Sequence, residues 1–105
     1  MSDPAISRMI KAVHGSQDVK PDPDFEVEMT NHLRNQYSQE GLVELYGRFA
    51  VGEGKFDALM RRIIWRAVAK KWGSGVQVSS HVGFKHLETF EIGDRVFIGA
   101  HTYIQ

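Results

Sequence analysis

Apolar residues recur at helical spacing through roughly the first two thirds of the chain and at even spacing through the rest. Ile6, Met9, Ile10 and Val13 predict a short helix within residues 1–14, broken by Gly15-Ser-Gln-Asp and then by Pro21-Asp-Pro-Asp. Residues 15–24 read as a linker. A second helix is expected from near Asp24 to about Asn35, and a third, opening after Ser38, from Glu40 to about Phe49. Leu42, Leu45, Tyr46 and Phe49 share one face of that third helix. Gly52-Glu-Gly54 then punctuates the chain before the most regular helix, Lys55 to Trp72, where Phe56, Leu59, Met60, Ile63, Ile64, Ala67 and Val68 follow the i, i+3, i+4, i+7 rule. Its cationic end suits the negative pole of the helix, and Gly73 is placed to stop it.

From Gly75 the period changes. Gly75-Val-Gln-Val-Ser-Ser-His-Val-Gly-Phe alternates, and Val76 to Val82 is a step of six. Ile92, Ile98 and Ile104 repeat the same step, Gly93 and Gly99 each follow an isoleucine, and Val96 and Thr102 keep phase between them. The step from Val82 to Ile92 is ten, which places an insertion of about four residues around His86-Leu-Glu-Thr. Three short strands joined by tight turns close a coil of about eighteen residues, and coils stack at the strand spacing of about 4.8 Å. The aliphatic residue heading each hexapeptide then points inward. A small residue follows it because the backbone turns there and a bulky side chain would strike the coil above or below. An ordinary hairpin also gives even spacing, but it does not place Gly after Ile twice in phase. The fold class expected is α+β: a helical region over residues 1–73, then the opening coils of a parallel β-helix over 74–105.

At 105 residues there is room for one small domain or part of a larger one. Thirteen basic and thirteen acidic side chains cancel, so net charge favours neither nucleic acid nor an acidic substrate as partner. The charge is unevenly spread: residues 1–54 carry five basic and nine acidic groups, residues 55–72 six and one, and residues 73–105 two and three. Arg61, Arg62, Arg66, Lys70 and Lys71 lie on or beside the polar face of the 55–72 helix. That face is either a solvated surface or a weak contact for an anionic membrane or acidic acceptor. The absence of cysteine excludes disulfides, thiolate metal sites and a cysteine nucleophile, and fits a reducing compartment. The N-terminus lacks the pattern of a signal peptide and no segment reaches the length of a spanning helix, so a soluble, cytoplasmic protein is the expectation.

Trp72-Gly-Ser-Gly-Val-Gln-Val, the segment from Phe84 to Glu91, and Ile92-Gly-Asp-Arg-Val-Phe-Ile-Gly-Ala-His-Thr-Tyr-Ile together resemble the opening coils of the hexapeptide-repeat acyltransferases. This is the left-handed β-helix family of bacterial sugar and antibiotic acetyltransferases, and the basic amphipathic helix is similar to the helical lead-in many members carry. Residues 1–54 carry no part of the resemblance. The resemblance implies transfer of an acetyl or other acyl group from acyl-CoA to a hydroxyl or amine of a sugar or similar small acceptor. Acetyl-CoA is then the co-substrate, no metal is expected, and active sites lie between neighbouring prisms of a trimer. It also implies a histidine general base, suited to the work because imidazole titrates near neutrality. In the family that base usually lies downstream of the opening coils, which places it beyond Gln105.

Within the chain, His101 and His86 are the candidates for catalysis. His101 falls at an outward turn of Ile98-Gly-Ala-His-Thr-Tyr, and His86 sits in the interrupted segment; each is otherwise a solvated corner residue. His81, His86 and His101 also admit a zinc reading, since some left-handed β-helix proteins, the γ-class carbonic anhydrases, bind zinc through histidines at a trimer interface. Asp94 and Arg95 read as turn residues, and Glu88 and Glu91 as a possible carboxylate pair without further marks of an acid and base. Phe97 and Tyr103 are expected outside the prism or at a subunit contact, and Trp65 and Trp72 as anchors of the helix on the prism. A prism cut at Gln105 exposes strand edges. The chain is therefore expected to be a fragment of a longer acyltransferase, to complete its coils against other copies as a non-catalytic oligomerising module, or to be an ordinary small sheet.

Overall fold

In the computed structural model, which describes residues 8–11 and 22–105, three helices lead into short parallel strands. Helix α1 spans Asp24–Gln36, with Asp24 and Glu26 in the first turn where carboxylates suit the positive helix pole. Helix α2, Gln39–Tyr46, is capped by Ser38, whose hydroxyl accepts from the Gly41 amide at 3.0 Å. Helix α3, Lys55–Val68, starts where the Asp57 carboxylate accepts from the Gly54 amide at 3.2 Å, satisfying one of the donors a helix start leaves open.

Helix α3 stops four residues short of Trp72, and Gly73 is not its stop. Ala69 is extended, and the Lys70 amide donates to the Phe90 carbonyl at 2.9 Å, so ladder bonds replace helix bonds from this point. The chain runs straight into strand β2, Lys71–Trp72. Two carbonyls at the end of α3 are taken by a cation from another helix: Arg34 of α1 donates through Nε to Ala67 at 3.2 Å and through Nη2 to Arg66 at 2.8 Å.

The helix expected within residues 1–14 is corrected in part. Arg8–Ile10 forms strand β1, which pairs in parallel with Phe90–Ile92. Three residues of helical periodicity cannot resist an available strand edge, because a helix this short has not recovered its nucleation cost. Ile6, Val13 and residues 15–21 of the expected linker lie outside the described residues.

The remaining strands are β3 (Gln77–Val78), β4 (Gly83–Phe84), β5 (Phe90–Ile92), β6 (Phe97–Ile98) and β7 (Tyr103–Ile104). Every pairing among β2 to β7 is parallel and joins residues twenty apart: Lys71 with Glu91, Gln77 with Phe97, and Gly83 with Tyr103. The sheets are β1-β5-β2, β3-β6 and β4-β7. Successive strands advance by six residues except from Phe84 to Ile92, which takes eight and contains a 3₁₀ turn at Leu87–Thr89. The interruption is thus two residues rather than about four. Val82 stands in the register of Thr102, whereas Phe84 stands in that of Ile104, so the step that reaches Ile92 runs from Phe84 and not from Val82.

Val76 is buried above Val96, and Val78 above Ile98, so the even-spaced apolar residues stack from one turn of chain to the next. Leu87 from the 3₁₀ turn is buried with them. Trp65, fully buried, anchors α3 on the strands: its ring lies 5.2 Å from that of Phe84 and 6.3 Å from that of Trp72. Trp72 therefore meets the helix from the strand side. A Cβ on Gly73 would stand 2.6 Å from the Asp94 amide nitrogen, which explains a glycine at this crossing of neighbouring turns.

Candidate functional site

The corners between strands place the polar residues of interest. Gly75, His81, Arg95 and His101 all have positive φ, at 72°, 60°, 57° and 66°, and each lies three residues after an inward position: Trp72, Val78, Ile92 and Ile98. The left-handed corner is therefore this position, not the glycine that directly follows each isoleucine. A non-glycine residue held there costs about 1–2 kcal/mol, with histidine among the more tolerant types. His86, φ 61°, makes a fifth such turn at the head of the 3₁₀ segment.

Because neighbouring turns of chain are twenty residues apart, His81 and His101 stack. Their ring centroids are 5.1 Å apart at an interplanar angle of 30°. The His101 amide donates to the His81 carbonyl at 2.8 Å, and the His81 amide donates to the carbonyl of Ala50 at 2.7 Å. His81 is thus pinned on both sides of its backbone while its side chain stays exposed. Beneath it, buried Ser80 donates from Oγ to Glu53 Oε2 at 2.9 Å, and His81 Nδ1 stands 3.2 Å from the same Oγ. Glu53 reaches this corner from the loop before α3.

Of the residues singled out from sequence, His81 and His101 come together and His86 does not join them. His86 Nδ1 lies 3.7 Å from Glu88 Oε2, and its carbonyl accepts from Thr89 Oγ1 at 2.7 Å. Glu91 faces Lys70 and Lys71 at 3.9 and 4.0 Å, so Glu88 and Glu91 serve different partners. Among the described residues no group of three or more His, Cys, Asp or Glu side chains is arranged to hold a metal ion. Asp94 does turn chemistry, accepting the Ser74 amide at 2.8 Å. Ser80 and Glu53 were not singled out. Ser80 sits in the alternating stretch and Glu53 in Gly52-Glu-Gly54, and no periodicity links two residues that meet only through the packing of the α3 loop on β3.

The three arginines of α3 are engaged. Arg61 is buried and donates through Nε to the Val78 carbonyl at 2.9 Å and through Nη1 to the carbonyls of Phe49 and Gly52 at 2.9 and 2.6 Å. Arg62 pairs with buried Glu26 at 2.5 Å and Arg66 with Asp22 at 2.9 Å. No helix among the described residues is long and apolar enough to cross a membrane. Behind the corner, Tyr46 donates to the Val82 carbonyl at 2.5 Å. Burial pushes the Tyr46 phenol up from its ordinary value, with the Trp65 indole and the Arg61 guanidinium pulling the other way.

Comparison with family models, with curated proteins and with solved structures finds no match.

Proposed function

We propose that residues 71–105 are the opening coils of a left-handed hexapeptide-repeat β-helix and that the chain is part of an acyltransferase. The reading is carried by the constant twenty-residue offset of three parallel strand pairs, combined with left-handed corners six residues apart at Gly75 and His81 and again at Arg95 and His101. This is the arithmetic of an eighteen-residue coil with two residues inserted at one corner. On this reading an acyl group passes from acyl-CoA, acetyl-CoA first among them, to a hydroxyl or amine of a sugar-like acceptor, in a homotrimer. The test is thiol release from acetyl-CoA and longer acyl-CoAs with a panel of sugar and amine acceptors, with mass spectrometry of the acylated product. No acylated product from any pairing would count against transfer.

A second reading has its own observation. Phe97 and Tyr103, 65% and 59% exposed on strands β6 and β7, favour a non-catalytic module that associates with copies of itself through aromatic contacts. Sedimentation of the wild type against Phe97→Ser and Tyr103→Ser chains distinguishes it, because self-association without turnover supports the module.

A further inference from the structure

The Glu53, Ser80 and His81 side chains form a connected chain whose hydrogens can be assigned from one end. A carboxylate only accepts, so the hydrogen between Ser80 Oγ and Glu53 Oε2 belongs to the serine. A hydroxyl has one hydrogen. Ser80 Oγ therefore meets His81 Nδ1 as an acceptor, and Nδ1 must carry the hydrogen of that 3.2 Å contact. In a neutral imidazole the other nitrogen is then a bare acceptor.

We propose that Glu53 and Ser80 are positioning residues that hold His81 in the Nδ1–H form, leaving Nε2 to accept a proton from the hydroxyl or amine of a bound small molecule. The backbone of His81 is fixed by hydrogen bonds to Ala50 and His101, and the His101 ring lies against its own, so the imidazole is held in place while remaining exposed. Preorganisation of this kind raises the value of an acceptor, because the orientation is set before the ligand arrives. The identity of the donor rests on the acyl-transfer reading; the tautomer does not. In that reaction Nε2 takes the proton as the acceptor oxygen or nitrogen bonds to the thioester carbonyl carbon. The carbon–sulfur bond then breaks, and the departing thiolate recovers the proton from Nε2. The products are the acylated acceptor and free thiol, and His81 is returned unchanged.

The experiment is long-range proton–nitrogen NMR on the full chain with ¹⁵N-labelled histidine, at a pH where imidazole is neutral. His81 should show a protonated Nδ1 and an unprotonated Nε2. Ser80→Ala and Glu53→Ala should each move it toward the Nε2–H form that free histidine prefers, while the backbone amide spectrum keeps its dispersion. An Nε2–H form in the wild type, or a Ser80→Ala spectrum identical to wild type at His81, overturns the relay. The ligand role is read separately, in the acyl-CoA assay. His81→Gln should lose at least about tenfold in kcat, equal to about 1.4 kcal/mol of barrier, and full turnover in that variant overturns the proton-accepting role. Absence of transfer in the wild type would overturn both the acyl-transfer reading and the proton-accepting role of Nε2 in it, whereas the tautomer result alone decides the relay.

Discussion

The Arg61 guanidinium donates through Nε to the carbonyl oxygen of Val78 across 2.9 Å, which ties the middle of helix α3 to strand β3. The same group holds the carbonyls of Phe49 and Gly52, so one side chain fixes the helix, the strand and the loop that carries Glu53. Arg61→Met keeps much of the volume and leaves three carbonyls without this donor. The expected loss is about 3 kcal/mol, read as a lowered midpoint in denaturant, with an unchanged midpoint refuting the tie.

Tyr46 gives a pH-dependent expectation. Its pKa is raised in the folded chain from the ordinary 10.0, mainly by burial. A phenol that holds its proton more tightly when folded contributes stability that is complete below its unfolded pKa and is lost as pH rises through the folded one. Stability should therefore fall above about pH 10, and Tyr46→Phe should flatten that fall. At neutral pH the same substitution should cost about 1–3 kcal/mol by leaving the Val82 carbonyl unpaired.

Gly73 crosses the next turn of chain at a distance no side chain fits. Gly73→Ala would press a methyl against the Asp94 amide nitrogen and the Gly93 carbonyl carbon, each 2.6 Å from the added carbon. A loss of about 1–3 kcal/mol is expected from this overpacking. Gly99 serves as the comparison, since an added Cβ there meets only the Phe97 ring at 3.6 Å. Equal stability of the two alanine variants would contradict the stacking.

Hydrogen exchange tests the position of strand β1. The Gly93 amide donates to the Ile10 carbonyl at 2.6 Å. In a chain lacking residues 1–11 that amide should exchange at least about tenfold faster, while Gln77 and Ser79, bonded within the β3 and β6 turns, should keep their protection. Unchanged exchange at Gly93 would mean that β1 does not occupy that edge in solution.

Where sequence periodicity was long it located the structure, and where a third element intervened it did not. The start of α1, the Ser38 cap and the start of α3 were legible because each has a local signal within a turn of the helix. The end of α3 was not, because Lys70 to Trp72 continue a helical sequence and are pulled into a ladder by Phe90 and Ile92, far along the chain. Arg61 looked like its basic neighbours, since nothing in its spacing reveals that three carbonyls from two other segments converge on it. At the site, the stacking of His81 over His101 follows once the turn length is known to be twenty rather than eighteen. The Glu53–Ser80 contact depends on how a loop folds over a strand, and no repeat encodes it.

Strand β1 enters the sheet beside β5, so Arg8 meets Phe90 after nearly the whole chain has been laid out between them. Loop-closure entropy makes such a contact slow to form relative to the twenty-residue steps of the other ladders. The two turns of strand can thus assemble before the N-terminal segment arrives. Refolding should show the Gly93 amide gaining protection after the amides of Gln77 and Ser79, so the edge of the sheet would close only once its ladders are in place.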